Sequence, residues 1–362
     1  MKKMIKLFSP KIDKKEITAA TNTLESHNWA SGAGNNLVKK FEESFCKYIG
    51  AKECVAVDSG TAALHLALNL ADIQGREVLV PSFTFVTTIH AITYNGGIPI
   101  FVDIEPETLS IDLSDLEKKI NKKTKAIVPV YFGGLPLKME NLKKIAREKS
   151  LSIIEDAAHA CGTKNKNNNV GSENELCCFS FHPIKNLSMP KGGAITINAN
   201  NSKNIKKKLN SLRWCGIDKR LGVLYDVTSL GYNYYMEEIS ASIGIEQLKK
   251  LQRSNKKRYS IAKRYSTELN VNKKMPLDKN CSYHLFWIRV NNREKFMDKM
   301  RKNGIETGAH YPPVHLMSFY NKKNSLPVTE KAGRDVVTLP MHPNLTDREI
   351  DLVIKKTNSF TE

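Results

Sequence analysis

Seven short apolar runs, at positions 54–58, 77–81, 98–103, 126–131, 152–156, 177–181 and 194–197, punctuate the first two hundred residues and limit the fold more than anything else in the chain. Most are rich in Val and Ile and lack polar alternation, the pattern of strands that helices cover on both faces. Amphipathic stretches lie between them, such as 62–70, 113–119 and 142–149. Strands alternating with helices predict a large α/β domain with a mostly parallel seven-stranded sheet and a ligand site at the carboxyl ends of its strands. Further on, a long helix is expected over 239–264, with Ile243, Leu248 and Leu251 on its apolar face. A strand at 283–290, a helix at 293–303 and another around 352–356 then make a smaller C-terminal α+β domain. The expected division is 1–248, N-terminal segment included, and 249–362.

Composition narrows the setting. The chain has 362 residues, enough for a large core, and no apolar run approaches the length of a membrane span. Its N-terminus, Met1-Lys2-Lys3-Met4, is basic but leads into no apolar stretch, so it does not read as a secretory signal. Seven cysteines without a Cys-x-x-Cys pair argue against a disulfide framework or a metal site, and a reducing cytoplasm is expected. The formal charge of +19 comes from lysines spread along the whole length, as in 164–169 and 206–208, and not clustered with aromatics. No nucleic-acid partner and no membrane insertion are therefore expected, while some of the charge suits a small polyanionic substrate.

Several strand ends carry candidate chemistry. Ser59-Gly60-Thr61-Ala62 follows one strand and opens a helix, which either caps that helix or presents free N–H groups to a phosphate near Thr61 and Ala62. Phe85 lies in the next strand-to-helix loop, placed to stack on a flat heterocycle or to fill the core. Asp156 closes an apolar strand, where a buried carboxylate needs a cation, strong hydrogen bonds or a cap to serve. His159 follows within a turn. Ser180 and His182 share one side of the strand that delivers Lys185, twenty-nine residues beyond Asp156. A lysine and a strand-end carboxylate are the pair that pyridoxal phosphate (PLP) chemistry needs: the amine holds the aldehyde as a Schiff base, and the carboxylate keeps the pyridine nitrogen protonated.

In their order along nearly the whole chain these motifs resemble the DegT/DnrJ family of nucleotide-sugar aminotransferases, which have the fold-type-I PLP architecture. The series runs through Trp29-Ala-Ser-Gly, Ser59-Gly-Thr-Ala-Ala-Leu, Pro81-Ser-Phe-Thr-Phe, Phe101-Val-Asp-Ile and Pro129-Val-Tyr-Phe-Gly-Gly. It continues with Glu155-Asp-Ala-Ala-His-Ala, Ser180-Phe-His-Pro-Ile-Lys-Asn, Gly231-Tyr-Asn-Tyr-Tyr-Met, His310-Tyr-Pro-Pro-Val-His and Leu339-Pro-Met-His-Pro. The resemblance implies that Lys185 carries the PLP Schiff base, Asp156 pairs with the pyridine nitrogen, Phe85 stacks on the ring and His159 lies near the phenolic oxygen. It implies that Thr61, Ala62 and Ser180 hold the phosphate, and that Asn233 reaches the phosphate of a neighbouring subunit, which makes the enzyme a homodimer with a composite site. His182, Tyr311 and His315 are expected toward the substrate. The implied reaction moves an amino group, with L-glutamate as donor, to a keto group of a nucleotide-diphosphate sugar, carbon four favoured over carbon three. A sugar dehydratase or a non-catalytic sensor of the same fold are the alternatives.

Two departures stand out. Relatives commonly have Gly-Glu-Gly-Gly or Gly-Asp-Gly-Gly where this chain has Pro190-Lys191-Gly-Gly, and many have Arg where it has Tyr235. If that arginine holds the donor's carboxylate, Arg213, Lys219 or Lys191 is expected to replace it.

Overall fold

Strands form where the apolar runs predicted them. The computed structural model describes residues 4–221, 224–320 and 325–361, so the first three residues of the basic N-terminus lie outside the described residues. In chain order the strands are β1 (Glu53–Val57), β2 (Glu77–Pro81), β3 (Ile98–Val102), β4 (Thr124–Ile127), β5 (Ser152–Asp156), the two-residue pair β6 (Lys164–Asn165) and β7 (Asn168–Asn169), β8 (Leu176–Ser180), β9 (Gly193–Ile197), the hairpin β10 (Ile217–Leu221) and β11 (Leu224–Val227), β12 (Trp287–Arg289) and β13 (Val336–Thr338). The helices are α1 (Lys14–Glu25), α2 (Leu37–Ile49), α3 (Gly60–Leu70), α4 (Val86–Tyr94), α5 (Leu113–Lys119), α6 (Met139–Glu148), α7 (Ser202–Arg213), α8 (Glu238–Glu268), α9 (Arg293–Lys302), α10 (Pro327–Asp335) and α11 (Asp347–Thr361).

Seven strands make one sheet in the order β1-β9-β8-β5-β4-β2-β3. Only β9 runs antiparallel to its neighbours β1 and β8; the other pairings are parallel. The unbroken apolar runs now have their reason. In β2, Leu79 faces a core with Phe41, Phe45 and Phe179, while Val78 and Val80 face the opposite core with Leu64, Ile89 and Phe101. Both faces are dry, and each buried Leu- or Phe-sized side chain contributes about 1.5–3 kcal/mol.

A third core gathers Trp287, Phe296, Val337 and Val353 around the β12–β13 pair. Ile5 belongs to it, and the N-terminal segment pairs there: Ile5 bridges to Ile305, and the Leu7 N–H donates to Glu306. That segment, expected to go with the sheet, packs on the core around β12 and β13. The expected boundary at 248/249 falls inside α8, an unbroken helix of 31 residues. One helix serves two cores: Ala241 and Leu251 join the sheet's core, and Ile261, Ala262 and Tyr265 join the C-terminal one.

The strand expected at 283–290 is shorter, Trp287–Arg289. Before it, the His284 N–H donates to the Gly133 carbonyl and the Ser282 N–H to Thr163, so this part of the stretch is tied to the loops after β4 and β5.

Candidate active site

The carboxyl ends of β1, β2, β5 and β8 meet around one cavity of about 280 Å³, closed on one side by His310 and Tyr311 of the C-terminal unit. A roomier groove of about 410 Å³ runs between α1 and α8, but it is lined largely by lysines and acids that pair with one another, and no strand end reaches it. The chemistry is in the smaller cavity.

At the end of β1 the chain turns into α3. Ser59 caps that helix, its Oγ accepting the Ala62 N–H at 3.1 Å. Gly60 and Thr61 line the cavity in the first turn, where N–H groups have no partner within the helix and the helix dipole favours an anion. This turn presses on β8 and β9 at distances that only glycine permits. A Cβ on Gly60 would lie 2.7 Å from Ser180 Cβ, and one on Gly193 would lie 2.4 Å from the Ser59 carbonyl. Ser180 is thereby brought to the helix N-terminus.

Phe85 is the last residue before α4 and leaves its ring over half exposed, 54%, on the cavity wall. Thr88, one turn further, donates its hydroxyl to Asp156 Oδ2 at 2.8 Å, and the Ala158 N–H donates to Oδ1 at 3.1 Å. Burial pushes the Asp156 carboxyl above its ordinary range, against those two hydrogen bonds and the charge of Lys185. A cation placed on this carboxylate would relieve that cost.

Lys185 stands in the connection from β8 to β9, held by a turn in which its N–H donates to the His182 carbonyl and by the Ser188 hydroxyl on its own carbonyl. It is 9% exposed. Burial lowers its amine to about 8, with Asp156 opposing. Its Nζ lies 3.5 Å from His284 Nε2. His284, His159 and His310 crowd round it, and burial together with the lysine's charge holds all three below the usual histidine range. His159 accepts the Gly133 N–H at Nδ1, which leaves its proton on Nε2, facing the Tyr311 hydroxyl at 3.2 Å.

Thr61, Phe85, Asp156, His159, Ser180, His182, Lys185 and Tyr311 therefore surround one cavity. Ala62 lies just behind it, its N–H engaged by the cap. Asn233 is exposed and outside it, bridged to Trp214. His315 does not reach the cavity either. It is fully buried, with Nδ1 2.7 Å from Ser82 Oγ and Nε2 3.6 Å from Glu330, and it ties the loop after β2 to the C-terminal unit. Of the three cations expected to replace a missing arginine, Arg213 is buried on Glu42 and the Ala56 carbonyl, and Lys219 is exposed on β10. Lys191 lines the cavity. Thr88, His284 and His310 were not singled out from the sequence. Thr88 carried a signal, one helical turn from Phe85; the two histidines arrive from a distant part of the chain.

A flat ring bearing a phosphate, an aldehyde and a basic nitrogen fits these residues: an exposed aromatic face, a helix N-terminus, a partly deprotonated amine and a buried carboxylate without a cation. Among the described residues no group of three or more His, Cys, Asp or Glu side chains could hold a metal ion, and no helix is long and apolar enough to cross a membrane.

The model of the DegT/DnrJ/EryC1/StrS aminotransferase family matches residues 10–358. The uncharacterised protein MJ1066 of Methanocaldococcus jannaschii is 35% identical over 368 residues, which cover 95% of this chain and 94% of that protein. The structure resembles Spr1654 of Streptococcus pneumoniae, named as a sugar aminotransferase and solved in apo, PMP and PLP forms; the PLP form superposes with a TM-score of 0.93 at 28% identity over 99% of this chain and 98% of that one. It also resembles PseC of Helicobacter pylori, an aminotransferase involved in the biosynthesis of pseudoaminic acid, with a TM-score of 0.92 at 27% identity over 99% of each chain.

Proposed function

The chain belongs to the DegT/DnrJ/EryC1/StrS aminotransferase family, and from that premise we propose that it moves the amino group of L-glutamate onto a keto group of a nucleotide-diphosphate sugar, at carbon four in preference to carbon three. The enzyme is a PLP-dependent sugar aminotransferase. The donor, the nucleotide and the carbon are the proposal. One observation carries the amino-transfer chemistry most: a buried lysine with a lowered pKa and a buried carboxylate without a cation meet in one cavity.

PLP, when bound, supplies an aldehyde for the amine and a ring that accepts electrons. The rest falls to the side chains. Asp156, aligned by Thr88 and the Ala158 N–H, holds a proton on the ring nitrogen. Lys185 Nζ, once free, takes the proton from the donor's α-carbon and returns it on the other side of the exchange, a task suited to an amine titrating near 8. Phe85, exposed on the cavity wall, would hold the ring by stacking. The Thr61 and Ser180 hydroxyls, with the first-turn N–H groups of α3, bind the phosphate. His159 orients the Tyr311 hydroxyl through Nε2, and Tyr311 with the exposed His182 lines the way in for the sugar.

A homodimer is part of this proposal, with Asn233 completing the neighbour's phosphate site. Leu224, Tyr225, Val227 and Leu230 are all more than half exposed and lead directly to Asn233, an apolar surface that a second copy would cover. Seven free thiols fit a reducing cytoplasm. The test is a screen of 3-keto and 4-keto nucleotide sugars with nitrogen-labelled glutamate, read by mass. Label in a 4-amino sugar is the expected result. Transfer to 3-keto sugars alone overturns the preference for carbon four, and transfer from other amino acids but not glutamate overturns the donor.

A further inference from the structure

We propose that Lys191, through its ion pair with Asp58, makes the phosphate end of the cavity able to hold a dianion, so that retention of the untethered cofactor depends on this pair. The inference rests on the PLP reading and concerns two residues that family membership does not assign. Asp58 lines the cavity immediately before the cap of α3, and its Oδ1 accepts the Ser59 hydroxyl at 3.0 Å. A carboxylate at that place opposes an incoming phosphate. The groups grouped nearest it, the first turn of α3 with the Thr61 and Ser180 hydroxyls, are all neutral donors.

Lys191 Nζ sits 2.6 Å from Asp58 Oδ2. Among the described residues, Lys185 and Lys191 are the lysine or arginine side chains that line the cavity, and Lys185 is committed to the aldehyde. The backbone fixes the second lysine to this end. Two residues on, Gly193 pairs with Val57 of β1 and Ser180 of β8 and lies so near the Ser59 carbonyl that a Cβ would be 2.4 Å away, so the sheet holds the segment beside the α3 N-terminus. Stability does not account for the pair. Its lysine is 63% exposed, and such pairs are worth about 0–1 kcal/mol. What the lysine changes is the potential felt by a phosphate beside Asp58, and this matters most when Lys185 has released the cofactor and only the phosphate end retains it.

The experiment measures binding of pyridoxamine 5′-phosphate, and of pyridoxamine without the phosphate, to cofactor-free protein by calorimetry. The proteins are wild type, Lys191→Met, Asp58→Asn and the double variant. Lys191→Met should weaken pyridoxamine phosphate by about tenfold or more, because it leaves Asp58 unneutralised. Asp58→Asn should bind at least as tightly as wild type, the double variant should recover most of the loss, and pyridoxamine binding should not change. Melting temperatures should stay close to wild type. Equal binding by wild type and Lys191→Met overturns the proposal, as does equal weakening for both ligands or a raised glutamate KM with phosphate-ligand binding intact. If wild type itself binds neither ligand, the PLP reading falls and this inference with it.

Discussion

At the scale of single residues, the catalytic capacity lies in how burial sets two titrations against each other. Lys185 would be protonated at an ordinary 10.5; in the dry floor of the cavity it falls to about 8. Below that value the amine carries a proton and cannot attack an aldehyde, and above it the amine is free. The rate of PLP capture by cofactor-free protein should therefore climb about tenfold per pH unit below 8 and level off above it. Stopped-flow absorbance checks this, and a rate still climbing at pH 10 refutes the lowered amine. Lys185→Ala should lose the visible absorption of the reconstituted protein, whereas Lys191→Ala should keep it. Asp156→Asn keeps the shape of the carboxylate but not its charge. Its turnover should drop by about a hundredfold or more, the scale seen when one preorganised electrostatic group is removed, with protein that still melts cooperatively. Wild-type turnover in that variant would sink the assigned role.

Between elements, the phosphate end depends on three pieces of backbone pressed together: the α3 N-terminus, the end of β8 and the start of β9. Gly193→Ala puts a methyl group against the Ser59 carbonyl, which has no rotamer with which to yield. We expect a cost of about 1–3 kcal/mol in denaturant unfolding and weaker cofactor binding from a displaced α3. Full binding with an unchanged midpoint would show that the contact relaxes freely. The elements differ in how plainly they could be read. The seven strands stood out because their middles are buried on both faces, so apolar residues run together there without polar alternation. The stretch before β12 misled for the same reason turned round: 283–286 is wholly buried, but the His284 and Leu285 N–H groups bond to the Gly133 carbonyl, and only the Phe286 carbonyl turns to the end of β13, at the Leu339 N–H. Hydrophobicity reports burial, and by itself it does not report what the backbone pairs with. The expected boundary at 248/249 lies within α8, whose 31 residues run unbroken while the core they face changes.

For the molecule as a whole, Asn233 is exposed in a single chain, and the reading that a second subunit uses it predicts complementation. Mixing Lys185→Ala with Asn233→Ala, each inactive alone, should restore roughly a quarter of wild-type activity, since half the mixed dimers are hybrids and each hybrid keeps one intact site. No recovery after mixed refolding would mean that each chain completes its own site. The sequence alone determined the α/β class, the sheet of seven strands, the lysine and carboxylate at strand ends, and the order of motifs that marks the family, because these follow from local patterns of burial and turn chemistry. Tertiary structure decided the rest. It brought His310 and Tyr311 onto the cavity at the strand ends and His284 to within 3.5 Å of Lys185 Nζ, buried Lys185 deeply enough to lower its amine, and kept His315 and Arg213 off the cavity. It also joined Lys191 to Asp58 across 133 positions of chain. Such contacts depend on which surfaces meet when the two units pack, and no spacing within a segment records that.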